Sequence, residues 1–157
     1  MAIGSREAKL VAAGYPLERT SPEGSLVDGI SIVDNFLYAS GQVPFDGDQL
    51  TSVGKVPSQV SEEEATKAAA LCTANILRLV ARELGSLDAV ERVVRLTGYV
   101  NSDLDYTRQH IVMNGASQLV RDVFGEQGRH ARTALGLAQL PLGSSVEVEM
   151  ILQLAAK

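Results

Sequence analysis

The C-terminal strand is the feature that most constrains how this chain can fold. Between residues 146 and 154 apolar residues alternate with a second set that includes two glutamates. The apolar set is Val146, Val148, Met150, Leu152 and Leu154, and the residues between them are Glu147, Glu149, Ile151 and Gln153. A period of two places the two sets on opposite faces of an extended strand. The segment therefore predicts a strand with one buried face and two carboxylates on the other.

A second strand is predicted just upstream, joined to the first by a turn over the segment LPLGSS. Its residues Arg132, Ala134, Gly136 and Ala138 share one face, which is almost bare of side-chain bulk beyond the arginine. The pattern alone leaves two interpretations of the charges. Arg132 and Glu147 are either ordinary solvent-side charges, as a cross-strand pair of little energetic weight, or parts of a site.

The clearest helix follows Ser61. Ser61 and Glu64 match a capping box, and Gly85 is a typical helix end. Cys72 lies in the apolar stripe of this helix, which predicts a packed thiol and not a nucleophile. Arg78 is predicted to lie on the solvated face of the same helix.

The remaining elements are predicted from shorter patterns in the order helix, β, β, α, β, α, β, β. They are an accessory helix within residues 1–15, a hairpin turning at Asp34 and Asn35, a strand over 91–102, and a helix over 103–125 with a possible break at Asn114–Gly115. This order predicts one α+β domain over residues 1–157, with a mixed sheet and two helices packed on one face. Two helices cannot cover both faces, so further copies of the chain are expected on the other face.

Composition limits the partners. The formal net charge is -5 and the sequence pI is about 5.0, so no nucleic-acid partner is expected. The single cysteine cannot form an intrachain disulfide, and no apolar run approaches the length of a membrane span. We therefore expect a cytoplasmic protein without a membrane partner.

Four segments together resemble the reactive intermediate deaminase family, also called RidA or YjgF. They are ASGQVP at 39–44, the capped helix, VVRLTGYVNS, and ARTALGLAQLPLGSSVEVEM, in the family's order from about Ser25 to the C-terminus. The resemblance implies a chorismate-mutase-like fold that assembles as a homotrimer with clefts between subunits. It also implies hydrolysis of enamines and imines, such as 2-aminoacrylate, to 2-keto acids and ammonia. No metal or organic cofactor is expected, because an imine needs positioning more than activation.

The same resemblance assigns roles to individual residues. Arg132 matches the arginine that binds the substrate carboxylate, and Glu147 matches the glutamate that positions the attacking water. Ser40 and Gly41 match positions that line the same cleft. The bare face at Ala134 then becomes space for the substrate.

His130 is a further candidate, because it shares the face of Arg132 and its imidazole titrates near neutral pH. A pocket-lining role and a purely structural role are both open for it. The segment SLVDGI lacks a tyrosine that shorter family members often carry. The chain also has an extra N-terminal helix and the sequence HAR in place of the common Pro-Ala-Arg, as in a longer subgroup of the family.

Two other functions are compatible with the pattern. One is a non-catalytic or regulatory trimer that binds a small carboxylate at Arg132. The other is the ribonuclease activity ascribed to some relatives, which the acidic balance and the scarcity of aromatic residues disfavour.

Overall fold

A mixed β-sheet organises the chain, and the computed structural model describes it over residues 4–18 and 26–156. The helices are α1 (Ser5–Ala12), α2 (Glu62–Leu84), α3 (Gln109–Val112) and α4 (Asn114–Phe124). The strands are β1 (Ile30–Val33), β2 (Phe36–Gln42), β3 (Phe45–Asp46), β4 (Gln49–Leu50), β5 (Val90–Asn101), β6 (Ala131–Leu137) and β7 (Val146–Leu154). Five strands form one sheet in the order β1-β2-β7-β5-β6, and β3 pairs with β4 in a separate hairpin.

The two C-terminal strands are not neighbours in this sheet. β5 lies between them, parallel to β6 and antiparallel to β7. The parallel pairing follows from the connection, because α3 and α4 carry the chain from β5 back to the start of β6. The interpretation of Arg132 and Glu147 as a cross-strand pair is therefore wrong.

Local sequence signals place most element ends correctly. The Glu64 backbone N–H donates to Ser61 Oγ at 3.2 Å, and the Ser61 N–H donates to Glu64 Oε2 at 3.0 Å, which completes the capping box of α2. Gly85 ends the helix with φ 78°, a conformation that favours glycine. The β1–β2 hairpin turns at Asp34 and Asn35 as predicted.

The helices α2 and α4 pack on one face of the sheet, which confirms the predicted α+β class and its layering. The alternating apolar residues of β7 face these helices together with Leu37 and Leu96 of the adjacent strands. Cys72 is completely buried in this core, in agreement with a packed thiol. The accessory helix is present as α1, which packs against α4 through the buried Leu10; residues 1–3 lie outside the described part of the chain.

The expected solvated position of Arg78 is wrong. Only 6% of this residue is exposed, and its Nε donates to the carbonyl of Pro16 at 2.8 Å. Its Nη1 donates to Asn75 Oδ1 at 2.7 Å. The segment that follows α1 therefore covers a part of α2 that the helical pattern alone assigns to solvent.

The second predicted helix is shorter than expected and is interrupted. Residues 103–108 are not helical, and α3 and α4 are separated at Met113, next to the predicted break. Gly115 lies at the start of α4 against α2, where an added Cβ would be 2.1 Å from the carbonyl oxygen of Thr66. Glycine is required here because the two helices approach too closely for any side chain.

The opposite face of the sheet carries no helix among the described residues. Exposed apolar side chains occur on this open face. They include Val33, Tyr38, Leu135 and Leu137. A covering partner is expected for such a surface, and the homotrimer stays a prediction. In the parts of the chain that the structure describes, no helix has the length and apolar character needed to cross a membrane.

We expect Gly115→Ala to lower the free energy of unfolding by about 1–3 kcal/mol, because α4 must move away from α2 to admit the methyl group. Helix propensity alone predicts a gain of about 1 kcal/mol from the same change, so the sign is diagnostic. Urea denaturation measures the effect. Gly29→Ala is the control, since its Cβ would lie at an ordinary 3.5 Å from Leu79, and a stabilised Gly115→Ala would contradict the packing.

Candidate functional site

Arg132 projects from β6 towards the helices. It lies beside Leu96 in the register of β5 and β6, and Leu96 belongs to the buried face of the sheet. Its Nη1 donates to Asn114 Oδ1 and to Ser117 Oγ, each at 3.0 Å. Its Nη2 donates to the carbonyl of His110 at 3.1 Å. The junction of α3 and α4 thus holds the guanidinium in one orientation.

This arrangement leaves part of the Arg132 guanidinium available. Three of the five N–H donors of an arginine are used, so Nε–H and one N–H of Nη2 remain. None of the ion pairs between described residues includes Arg132. Burial lowers its pKa, which means that its charge is incompletely compensated. A fixed, partly buried guanidinium with free donors is suited to a ligand carboxylate.

His130 shares this face with Arg132. Its Nδ1 lies 2.7 Å from the carbonyl of Gly128, which can only accept, so Nδ1 carries the proton. Nε2 then accepts the hydroxyl of Ser117 at 3.0 Å. Burial lowers the pKa of His130, and the charges of Arg132 and Arg121 lower it further, against the hydrogen bond to Gly128. His130 is a neutral acceptor that orients Ser117 beneath the arginine.

Glu147 lies on the opposite, open face of the sheet. It is paired in register with Tyr99 and is partly buried. Burial raises the pKa of its carboxyl, and the neighbouring charge of Glu149 raises it further. Gly41 lies directly beside it, since a Cβ on Gly41 would be 2.0 Å from Glu147 Oε1. Glycine in β2 therefore lets the Glu147 side chain lie against the backbone.

The six predicted site residues divide into two groups. Ser40 precedes Gly41 in an irregular part of β2 and donates its hydroxyl to the carbonyl of Asp28 at 2.7 Å. Gly41 lies against Glu147, and Ser40 is its neighbour in the irregular part of β2. The structure brings Ala134 and His130 together with Arg132 on the face of the helices.

Within one chain the two groups cannot hold the same small molecule. Arg132 is level with Met150 in the register, so it lies two strands across and three residues along from Glu147. Strand spacing and rise place their Cα atoms roughly 14 Å apart, and the sheet separates the side chains. A site that uses both residues requires two copies of the chain.

The bare face of β6 is not open space in the single chain. Ala134 packs against the core, and an added Cβ on Gly136 would be 2.6 Å from Gln109 Nε2. The small residues let α3 approach β6 closely. The part next to Arg132 adjoins a groove, which has a volume of about 390 Å³ and is lined in part by Ser117 and His130.

A larger cavity of about 690 Å³ lies between the end of α1 and α2, and none of the six predicted residues lines it. Its lining includes Glu64 and Lys67, which make hydrogen bonds to the helix cap and to Glu63. Across residues 4–18 and 26–156, no cluster of three or more His, Cys, Asp or Glu side chains could hold a metal ion. Arg78 also lines the larger cavity, but it donates to Pro16 and Asn75. The groove beside Arg132 is the better candidate for carboxylate chemistry, because Arg132 keeps two N–H donors for a ligand.

Asn114, Ser117 and Tyr99 belong to these surroundings and were not predicted as site residues. Asn114 and Ser117 are three apart on α4, a spacing that places them on one helical face. The sequence shows this spacing, but it identifies Asn114 and Ser117 as site residues only when Arg132 is known to point at α4. Tyr99 could be identified as a neighbour of Glu147 only from the strand register, because the pairing of β5 with β7 places the two residues side by side.

Comparisons with known proteins agree with this architecture. Residues 7–154 match the YjgF/chorismate-mutase-like family, whose description adds "putative endoribonuclease". The chain belongs to this family, which confirms the resemblance to the RidA or YjgF proteins. Protein TCP17 of Trypanosoma cruzi is 42% identical over 119 residues, which cover 75% of this chain and 74% of that protein.

Solved structures show the same fold. A protein of unknown function from Agrobacterium tumefaciens has 38% sequence identity and a TM-score of 0.89, covering 97% of this chain and 93% of that one. A putative endoribonuclease from Shewanella oneidensis has 29% identity and a TM-score of 0.91, covering 96% and 100%. A RidA from an Antarctic Psychrobacter shares the fold at 23% identity and a TM-score of 0.59, covering 87% and 94%.

The His130 network predicts a specific titration. We expect the pKa of His130 to lie below its ordinary value and to rise in Arg132→Gln, because one neighbouring positive charge is removed. NMR of the imidazole resonances measures both, and the chain has only two histidines. Arg95→Gln is the matched control on the other face, where Arg95 contacts Thr133. An unchanged His130 pKa in Arg132→Gln would contradict the network.

Proposed function

We propose that the chain hydrolyses reactive imines and enamines of the 2-aminoacrylate type to 2-keto acids and ammonia. Arg132 binds the substrate carboxylate and Glu147 positions the attacking water. The observation that carries this proposal is the guanidinium of Arg132, which three hydrogen bonds hold in place while two donors stay free. Membership of the YjgF family supports it.

Fixing the carboxylate fixes the reacting carbon. In a 2-imino acid the electrophilic C=N carbon is bonded directly to the carboxylate. An arginine fork that binds both carboxylate oxygens therefore sets the position and the plane of the C=N group. Ser117 and Asn114 contribute by holding the guanidinium, so the arginine is oriented before the ligand arrives.

Glu147 supplies the proton transfers. 2-Aminoacrylate reacts as its 2-imino tautomer, protonated on nitrogen. The water oxygen adds to the C=N carbon, Glu147 accepts one proton from that water, and the electron pair of the C=N π bond leaves a neutral amine on the nitrogen. Glu147 then returns this proton to the amine nitrogen of the carbinolamine, and the C–N bond breaks to release ammonia. The C=O bond forms as the hydroxyl proton passes to the Glu147 carboxylate and from there to solvent. The pKa of Glu147 is raised by burial and by Glu149, which brings it towards the range useful for both steps.

The site is composite in this proposal. Because Arg132 and Glu147 lie on opposite faces of one sheet, Glu147 of a second copy must reach the Arg132 of the first. The exposed apolar residues on the open face supply a surface for that contact. A homotrimer closes such head-to-tail contacts with three equivalent clefts.

An assay in which a serine or threonine dehydratase generates 2-aminoacrylate or 2-iminobutanoate tests the proposal. The chain should accelerate release of the keto acid. Arg132→Ala should lose the acceleration, since carboxylate binding is removed. Glu147→Gln should reduce turnover by about 100-fold or more while retaining keto-acid binding, because only the proton transfers are removed. Glu63→Gln, an exposed carboxyl on α2, is the control and should behave as wild type.

Other outcomes identify the alternatives. Keto-acid binding that depends on Arg132, without acceleration by wild type, would replace the proposal by a non-catalytic carboxylate-binding protein. RNA cleavage by purified protein that is lost in Arg132→Ala and falls steeply with salt would replace it by a ribonuclease.

A further inference from the structure

We infer that the groove beside Arg132 binds a second negative group of the ligand, so that the chain prefers 2-imino and 2-keto acids that carry two carboxylates. This inference rests on the proposed function, in which Arg132 binds the first carboxylate. It adds the class of substrate, which neither the fold nor family membership specifies.

The groove is strongly cationic although the chain is acidic. It has a volume of about 390 Å³ and is lined by Ser117, Arg121, Gly128, Arg129, His130 and Arg132. Three of these six residues are arginines, in a chain whose formal net charge is -5. Such a local concentration of guanidinium groups attracts small anions, and it favours anions that carry more than one negative charge.

The position of Glu126 shows that two of these arginines converge on a carboxylate. Arg129 Nε donates to Glu126 Oε2 at 2.8 Å, and Arg121 Nη2 donates to Glu126 Oε1 at 3.3 Å. One carboxylate therefore bridges both guanidinium groups. A ligand carboxylate of the same shape can make the same pair of contacts.

Glu126 is weakly held, so a ligand can replace it. Its side chain is 73% exposed, and those of Arg121 and Arg129 are 39% and 68% exposed. Ion pairs this exposed contribute little to stability, and the Glu126 side chain can rotate into solvent at small cost. Exchange of one carboxylate for another keeps the hydrogen bonds of both arginines.

The charges in the groove match a doubly negative ligand. Arg121 and Arg129 share the carboxylate of Glu126, and none of the ion pairs between described residues includes Arg132. His130 favours its neutral form, because burial and the charges of Arg132 and Arg121 lower its pKa. A monocarboxylate bound at Arg132 makes no contact with Arg121 and Arg129, whereas the second carboxylate of a dicarboxylate can take the place of Glu126 between them.

Calorimetric titration with two ligands of equal length tests the inference. 2-Oxoglutarate and 2-oxopentanoate share five carbons and the 2-keto acid group, and only the first has a second carboxylate. We expect wild type to bind 2-oxoglutarate about tenfold more tightly, the effect of one charge-assisted hydrogen-bonded contact. Arg129→Gln should remove most of this preference, and Glu126→Gln should increase it because the competing carboxylate is gone.

Lys67→Gln is the matched control, since it also removes one exposed cation from an ion pair, that with Glu63 on α2. It should leave the preference unchanged. Equal affinity for the two ligands, or a preference unaffected by Arg129→Gln and Glu126→Gln, would overturn the inference and leave the proposed deaminase intact. A preference that behaves as expected in a protein that turns over no imine would support the inference and contradict the proposed function.

Discussion

The position of β5 between β6 and β7 is the constraint on which the candidate site depends. The alternation in β7 requires a sheet with one buried face, and its glutamates must then lie on the other. The parallel pairing of β6 with β5 places Arg132 on the buried side, level with Leu96. The arginine and the glutamate to which the proposed function assigns carboxylate binding and water positioning thus lie on opposite faces of one layer, and a site that uses both needs contact between copies.

In the single chain, burial disfavours the charged forms of both Arg132 and Glu147. It lowers the pKa of Arg132 and raises the pKa of Glu147. For Glu147 the sign means that its contribution to stability is present at acid pH and is lost as the pH rises through its raised folded-state pKa. A bound carboxylate offsets the burial of the Arg132 charge. A second copy that brings its arginine towards Glu147 offsets the burial of the Glu147 charge. In the proposed site, assembly and substrate binding therefore depend on the same two residues.

Local patterns predict the elements of this fold well, because each pattern reports a local physical requirement. The capping box at Ser61 and the left-handed Gly85 set the ends of α2, and the alternation after Val146 sets β7. The contacts between elements are harder to predict from the sequence. The strand order and the burial of Arg78 beneath Pro16 depend on contacts between distant segments, to which no local periodicity responds.

The candidate site divides in the same way. Arg132, Glu147, Ser40 and Gly41 could be found from the resemblance, since each lies in a segment that resembles the family. Asn114 and Ser117 could not be found in this way, because only the structure shows that they accept hydrogen bonds from the Arg132 guanidinium. The groove beside Arg132 combines residues of α4 with the segment before β6. Arg121, Glu126 and Arg129 are close in sequence, but the pattern does not show that both arginines contact the same carboxylate.

Mixing two inactive variants tests the central claim most directly. Arg132→Ala and Glu147→Gln each remove one half of the composite site, and in a mixed ring some clefts join an intact Arg132 to an intact Glu147 of the neighbour. Random assembly of equal amounts, by co-expression or refolding, should restore about a quarter of the wild-type imine hydrolysis, because one cleft in four receives both native residues. A mixture as inactive as its components, despite verified exchange of subunits, would show that the two residues do not act together across copies.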